Sequence, residues 1–309
     1  MTSGFLAVPA VEILHRAGCV IHYMRAYPSA AEVAETTGAV QAHAILTRQG
    51  PVSAAAMEAS PRLQVIARHG VGVDDVDVAE ATRRGILVTR APGSNTLAVA
   101  EHTIAMILAL AKGFRPLGAA IAGGAWRDPT ASVRDLAGLR LGLLGFGEIA
   151  RAVVPFAQAF GMEVQAWSPS AIPGGLMAAT LPALLARSDV LSVHCPLLPT
   201  TRHLVDAAAL ALLPAGAMLV NTARGGIVDE AALFAALESG HLAGAALDVF
   251  EIEPPAAGDR LRDHPKVIAT PHVSGVTQAS LVNMGVMAAE CIAWALRGEP
   301  VPEARIVRG

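Results

Sequence analysis

The sequence predicts an α/β protein of two domains built on doubly wound parallel sheets. Three observations carry this. At 309 residues the chain is about two domains long. Hydrophobic residues make up 53% and aromatic residues 4%, a balance suited to Ala- and Leu-rich helices packed on buried strands. Short apolar runs alternate with helical patterns, the order a parallel sheet requires.

In residues 1 to about 95 the strand candidates are Cys19–Tyr23, Ala44–Leu46, Gln64–Ala67 and Ile86–Val88, and the first strand is confined to Phe5–Val8 by Pro9. Ala-rich segments between them read as helices, with Ser29 and Ser53 as N-caps. Arg68-His69-Gly70-Val71-Gly72-Val73-Asp74 follows a strand directly. Glycines on either side of Val71 would expose successive backbone N–H groups suited to a carboxylate, and an ordinary turn explains the same residues. Ala91 to Thr96 is a cluster of turn formers that reads as a hinge, with Asn95 or Thr96 as cap of the next helix. That helix, Leu97–Lys112, is apolar on nearly every face and should be buried, within the chain or between subunits. Gly118–Asp128 reads as a loose Gly-rich stretch, with Trp126 exposed.

Leu139 to Ala150, LRLGLLGFGEIA, reads as a buried strand, a tight turn and a helix start. Gly145, Gly147 and Ala150 fill the three small-residue positions of a dinucleotide fingerprint, and the helix N-terminus would face a pyrophosphate. A plain βα turn is the alternative, but Gly161 and the apolar run Met162–Trp167 supply a helix stop and second strand at the expected distance. Ser168 stands where an NAD site usually carries an acid for the ribose hydroxyls. Serine does not repel a 2′-phosphate, yet no Lys or Arg lies from Pro169 through Ala186 to attract one. NAD(H) is therefore the expected cofactor, with NADP(H) left open.

Four further strands each run into a polar cluster. Val190–Val193 leads to His194, Cys195 and Pro196, and Met218–Val220 to Asn221, Thr222, Ala223 and Arg224. Ala245–Leu247 leads to Asp248, Glu251 and Glu253, and Val267–Ala269 to Thr270, His272 and Gly275. Ligands of doubly wound sheets lie beyond the carboxyl ends of the strands, so an Arg, an acid and a His at three successive ends should converge. Singly, Arg224 reads equally as an ion-pair partner, Glu253 as a solvated loop acid and His272 as a turn histidine. Together beside a nucleotide fingerprint they suit hydride transfer. A His exchanges the alcohol proton, a carboxylate orients its ring, and a guanidinium grips a substrate carboxylate. A helix from about Gln278 to Leu296 follows, and the tail from Gly298 reads as surface strand or coil.

The ordered motifs GVGVDDVD with ATRRGI, APGSNTLAVAEHT, GLLGFGEIAR, SDVLSVHCPLLPTTRHLVD, NTARGGIVDEAAL, ALDVFEIEPP and TPHVSGVT run from about Ala44 to Ala289. With them the chain resembles the D-isomer-specific 2-hydroxyacid dehydrogenases, the family of phosphoglycerate dehydrogenase and glyoxylate/hydroxypyruvate reductase. The resemblance implies two Rossmann-like lobes with a cleft between them: a dinucleotide-binding domain over 97–278 and a substrate-binding domain over 1–96 plus 279–309. It implies His272 as acid/base, Glu253 as its partner and Arg224 as the substrate arginine. Amides at Val71 and Gly72 would hold the substrate carboxylate, and Glu148 and Ile149 would lie under the pyrophosphate. Thr222, Ala223 and Asp248 would contact the nicotinamide half, Cys195 and Pro196 would flank the adenine, and Arg224, His272 and Gly275 complete the cofactor contacts. It also implies a homodimer.

The expected reaction reduces a small 2-oxo acid, glyoxylate or hydroxypyruvate, to the D-2-hydroxy acid. Arg90 replaces the Asn usual in the family, with consequences for substrate choice or only for packing. Of Thr47, Arg48 and Gln49, where phosphoglycerate-using relatives often carry arginines, only Arg48 is basic, and strand alternation should point it to the other face. A phosphoglycerate dehydrogenase lacking a regulatory domain is therefore the second reading, the chain stopping at Gly309. An NAD(H)-sensing corepressor-like protein is a third, disfavoured by the lack of a long extension or basic segment. A formate dehydrogenase would lack the Glu–His pair.

A net charge of −3 gives no reason to expect nucleic acid or an acidic membrane as partner. Cys19, Cys195 and Cys291 lie far apart and read as reduced, mostly buried thiols, and no metal site is expected. The N-terminus lacks a signal-peptide pattern and Ile104–Ala111 is too short to span a bilayer, so a cytoplasmic location is expected.

Overall fold

A computed structural model describes residues 1–126, 132–170, 172 and 174–309. The chain divides into two compact units, Met1–Asn95 with Val276–Gly309, and Thr96–Gly275.

In the first unit the elements are β1 (Thr2–Ser3), α1 (Val8–Arg16), β2 (Tyr23–Met24), α2 (Ala30–Val40), β3 (Ala44–Thr47), α3 (Ala54–Glu58), β4 (Val65–Arg68), α4 (Val78–Arg83) and β5 (Leu87–Thr89). The second unit runs through α5 (Thr96–Ala111), α6 (Phe114–Ala122), β6 (Arg140–Leu144), α7 (Glu148–Ala159), β7 (Glu163–Trp167), α8 (Leu181–Leu185), β8 (Val190–Val193) and α9 (Ala207–Leu212). It continues with β9 (Ala217–Asn221), α10 (Glu230–Glu238), β10 (Leu242–Leu247), α11 (Arg260–Asp263) and β11 (Val267–Ala269). The chain then returns to the first unit with α12 (Gln278–Leu296) and β12 (Ile306–Val307).

Both sheets wind in the same order. The first is β12-β5-β4-β3-β1-β2 and the second β11-β10-β9-β8-β6-β7. All described pairings are parallel except β12 on β5. In each unit the first crossover goes one way and the next returns past the starting strand, which creates a switch point. In the second unit it lies between β6 and β8.

Strand alternation feeds a core on each face of each sheet. Along β6, Leu141 and Leu143 join the core under α5 and α7, while Leu144 joins the opposite core with Leu184, Leu210 and Leu233. In β4, Ile66 faces Val33 and Met57, whereas Val65 and Ala67 face Leu14, Ala288 and Ile292. Helix α12 thus covers a sheet face of the first unit. It is also long and apolar enough to cross a membrane by composition, a property that core helices share.

Several local expectations are corrected. The first strand is Thr2–Ser3, because Pro9 opens α1, where its missing N–H costs no hydrogen bond, and Val8 is already helical. The second strand is only Tyr23–Met24, not Cys19–Tyr23. Ser29 forms a full capping box with Glu32, whereas Ser53 holds the N-cap position without a side-chain bond. Thr96 is the first residue of α5 rather than its cap. Gly118 is not in a loose stretch but inside α6, which buries none of its residues; Asp128 lies outside the described residues. Only Cys291 is buried, Cys19 and Cys195 being partly exposed.

Candidate active site

The fingerprint loop is shaped by a near approach of two chain segments. Gly145 has φ +95°, and a Cβ there would lie 2.7 Å from the Cys195 nitrogen and 2.8 Å from the His194 carbonyl carbon. Only glycine lets the loop after β6 pass the loop after β8 at the switch point. Gly147 is the N-cap of α7, has no side-chain cap bond, and would present a Cβ to open space. The first-turn amides of α7, at Glu148 and Ile149, therefore begin a twelve-residue helix with its positive end uncapped, which fits a pyrophosphate. The Glu148 carboxylate is drawn aside toward Thr96 Oγ1, 3.4 Å away. Ala150 is fully buried on the sheet.

Around this loop, Ser168 lies just past β7 and accepts the Ser170 N–H at 3.4 Å. The His194 Nε2 and Ser192 Oγ are 2.8 Å apart, and loss of solvation holds the imidazole down to about 4, so the ring is neutral. Burial pushes the Cys195 thiol up to about 11, which keeps it protonated; Pro196 follows on the surface. Arg151 on α7 is a residue sequence reasoning missed. It lines a cavity of about 280 Å³ with Phe146, Val154, Pro155, Gly174 and Leu176, between α7 and the loop after β7.

The ends of β9, β10 and β11 bring the polar triad residues forward. After β9, Asn221 Oδ1 accepts the Ala223 N–H at 3.0 Å while its Nδ2 donates to the Arg224 carbonyl at 2.9 Å, so one side chain folds the turn that carries Arg224. The guanidinium of Arg224 donates to the Ala223 carbonyl at 2.7 Å. A Cβ on Gly225 would sit 1.9 Å from the Phe250 carbonyl carbon and 2.3 Å from the Glu251 nitrogen, so the turn lies directly on the loop after β10. The Thr222 hydroxyl is buried 3.0 Å from Thr103 Oγ1 of α5.

His272 and Glu253 form a pair. His272 Nδ1 lies 2.7 Å from Glu253 Oε2, and the Phe250 N–H donates to Glu253 Oε1 at 3.1 Å. The side chains are 49% and 37% exposed, and the bond to Glu253 uses Nδ1, leaving Nε2 outside it. His272 has φ +53°, a left-handed conformation unusual outside glycine. Asp248 supports it. This fully buried carboxylate accepts the Thr270 hydroxyl at 2.6 Å and the Val273 N–H at 2.9 Å on Oδ1, and the Ser274 N–H at 2.8 Å on Oδ2. The Asp248 carbonyl accepts the His272 N–H at 2.8 Å. His102 Nε2 of α5, which sequence reasoning also missed, reaches Thr270 Oγ1 at 3.2 Å. The signal was available as the polar run Glu101-His102-Thr103 in the middle of a mostly apolar helix. The carboxylate of Asp248 is thus engaged by the loop that carries His272 and ends at Gly275.

In the first unit, Val71 and Gly72 lie in the loop beyond β4. Arg68 ties it down, donating to the Gly72 carbonyl at 2.8 Å and the Arg48 carbonyl at 2.6 Å, with Asp75 Oδ2 at 3.0 Å. Burial holds His69 down to about 4, helped by the charge of Arg48. Arg48 lies one residue beyond β3, and its guanidinium donates to the Phe5 carbonyl within the field of Arg68 and His69. Arg90 is exposed, and its backbone N–H donates to the Arg305 carbonyl beside β12.

The family model described as "D-isomer specific 2-hydroxyacid dehydrogenase, NAD binding domain" matches residues 104–274. The chain belongs to the D-isomer specific 2-hydroxyacid dehydrogenase family. It is 40% identical over 247 residues to a D-3-phosphoglycerate dehydrogenase of Bacillus subtilis, covering 78% of this chain and 47% of the relative. The chain therefore spans about half the length of the curated relatives it matches. Its fold superposes on the TT0316 protein of Thermus thermophilus with a TM-score of 0.92 at 35% identity, over 99% of this chain and 100% of the other. A glyoxylate reductase of Paecilomyes thermophila gives a TM-score of 0.86 at 28% identity, over 99% and 98%.

Proposed function

We propose that this family member is a nicotinamide-dependent 2-oxoacid reductase and D-2-hydroxyacid dehydrogenase, with glyoxylate or hydroxypyruvate as substrate. The observation that carries the reading is the partly exposed His272–Glu253 pair, at 2.7 Å through Nδ1, in the same unit as an uncapped fingerprint helix. A nicotinamide held there supplies the hydride. The unit Thr96–Gly275 serves as dinucleotide-binding domain and the other as substrate-binding domain. His272 Nδ1 donates to Glu253, which leaves Nε2 to give a proton to the substrate oxygen and take it back in the reverse direction. Glu253 orients the ring and opposes its positive charge. Arg224 grips the substrate carboxylate and polarises the carbonyl oxygen, and the Val71 and Gly72 amides complete the carboxylate site.

NAD(H) is the favoured cofactor. Ser168 offers no negative charge and Arg151 brings a cation near the same loop, so the balance is testable: Ser168→Asp should lower kcat/KM with NADPH relative to NADH. An unchanged ratio would show that this residue does not read the ribose. A homodimer in the cytoplasm is the proposed state. On α6, Phe114, Leu117 and Ile121 form an exposed apolar stripe at helical spacing, the kind of face a second copy covers.

A phosphorylated 2-hydroxy acid is the second reading. It is favoured by Arg48, whose charge acts on Arg68 and His69 at the carboxyl end of β4, and by the names of the curated relatives. The deciding experiment offers glyoxylate, hydroxypyruvate and its phosphate, each with NADH and NADPH, and follows nicotinamide absorbance. Faster oxidation with the unphosphorylated acids supports the first reading, and preference for the phosphate supports the second. Cofactor binding without turnover on any acid would overturn both.

A further inference from the structure

We propose that Glu230 and Glu251 are positioning residues whose reciprocal cap clamps the loop after β10 to the start of α10 and so holds Glu253 against His272. The inference rests on the catalytic reading above. The Glu251 N–H donates to Glu230 Oε1 at 2.7 Å, and the Glu230 N–H donates to Glu251 Oε1 at 3.2 Å. Two carboxylates side by side would ordinarily repel. Here each satisfies a backbone donor of the other, and the Glu230 N–H belongs to the first turn of α10, where no carbonyl within the helix can receive it. The helix N-terminus and Arg202 Nη2, 3.9 Å from Glu251 Oε2, offset the negative charge, and His203 Nε2 lies 3.1 Å from Glu251 Oε1.

The clamp acts one peptide away from the reacting pair. The Phe250 N–H aims at Glu253 Oε1, and the next N–H, that of Glu251, aims at Glu230. The peptide between them is the one against which Gly225 packs with no room for a Cβ. Arg224 and Glu253 are therefore referred to a single rigid peptide, fixed on one side by the glycine and on the other by Glu230. Burial holds the Glu230 carboxyl above its ordinary range. The Glu251 N–H works against this, while Glu251, Asp259 and Glu253 add repulsion. Glu251 stands two residues before Glu253 in the same sequence motif, yet it turns toward α10 and His203.

The test compares Glu230→Ala with Glu230→Gln, which keeps an acceptor oxygen. The Ala variant should lower kcat at least about tenfold, because small displacements of a reacting group are costly, while KM for the cofactor stays within about twofold. Its solvent deuterium isotope effect on kcat should rise as proton transfer becomes limiting. Amide exchange over residues 250–253 should accelerate about tenfold in the Ala variant. The Gln variant should restore kcat to within about threefold and restore the protection. Wild-type kcat in the Ala variant, or a Gln variant as impaired as Ala, would overturn the proposal. If Glu230→Ala does not fold, Glu251→Ala opens the same clamp from the other side. If the wild type turns over no 2-oxo acid, the catalytic reading fails, while the exchange measurement still decides whether the clamp exists.

Discussion

Replacing Asp248 by Asn probes the support beneath His272. The buried carboxylate accepts three hydrogen bonds, from the Thr270 hydroxyl and the Val273 and Ser274 N–H groups. An Asn keeping its oxygen at the Oδ1 position retains the first two in weaker, uncharged form and turns an NH2 group toward the Ser274 N–H. One charge-assisted bond is lost, worth about 1.5–3 kcal/mol, and a buried donor is left unpaired, worth about 1–3 kcal/mol. Neutralising a buried charge returns part of its desolvation penalty, so a net loss of about 2–4 kcal/mol is expected. The assay is urea denaturation followed by Trp fluorescence. A background with Trp126 and Trp294 changed to Phe leaves Trp167, at the end of β7 in the same unit, as reporter. The same variant should lose at least about tenfold in kcat, because the loop that fixes His272 is loosened. A loss of stability below about 0.5 kcal/mol would refute the reasoning, since surface substitutions fall in that range and a buried carboxylate with three donors should not.

Two further outcomes follow from the same physics. His69 is buried and its ring is held down to about 4, against an ordinary value of 6.5. The unfolded chain therefore binds the extra proton between those pH values, so its contribution is present above about 6.5 and is lost as pH falls toward 4. That loss is at most about 3 kcal/mol; His69→Gln should flatten the pH dependence of the urea midpoint in this window, and an unchanged slope would count against it. Gly225→Ala would force a Cβ to within 1.9 Å of the Phe250 carbonyl carbon, so at least about 3 kcal/mol of stability and most of the turnover should be lost; a variant with wild-type melting and kcat would show that the two loops are not pressed together.

Much of the site was legible because chemistry concentrates at strand ends. Arg224, Glu253 and His272 could be placed after β9, β10 and β11 from apolar runs alone, and Gly145 from the need for a tight turn. What escaped were residues whose role depends on distant partners. His102 and Thr103 sit on α5, more than a hundred residues before the Thr270 and Thr222 hydroxyls they meet. Glu230 and Glu251 lie 21 residues apart in sequence, and only the fold brings the start of α10 against the loop after β10. The doubly wound character of the two sheets was legible from the alternation of strands and helices and from the family resemblance, and the strand orders bear it out. At the N-terminus, two-residue strands carry too few side chains for any periodicity, so Thr2–Ser3 and Tyr23–Met24 were misplaced.

The most direct measurement is the turnover of His272→Ala beside the wild type, on the best 2-oxo acid, with cofactor binding followed separately by nicotinamide fluorescence. If His272 Nε2 exchanges the substrate proton, kcat should fall at least about a hundredfold while cofactor affinity is nearly unchanged. A variant that binds cofactor and turns over within a few fold of the wild type would contradict the account.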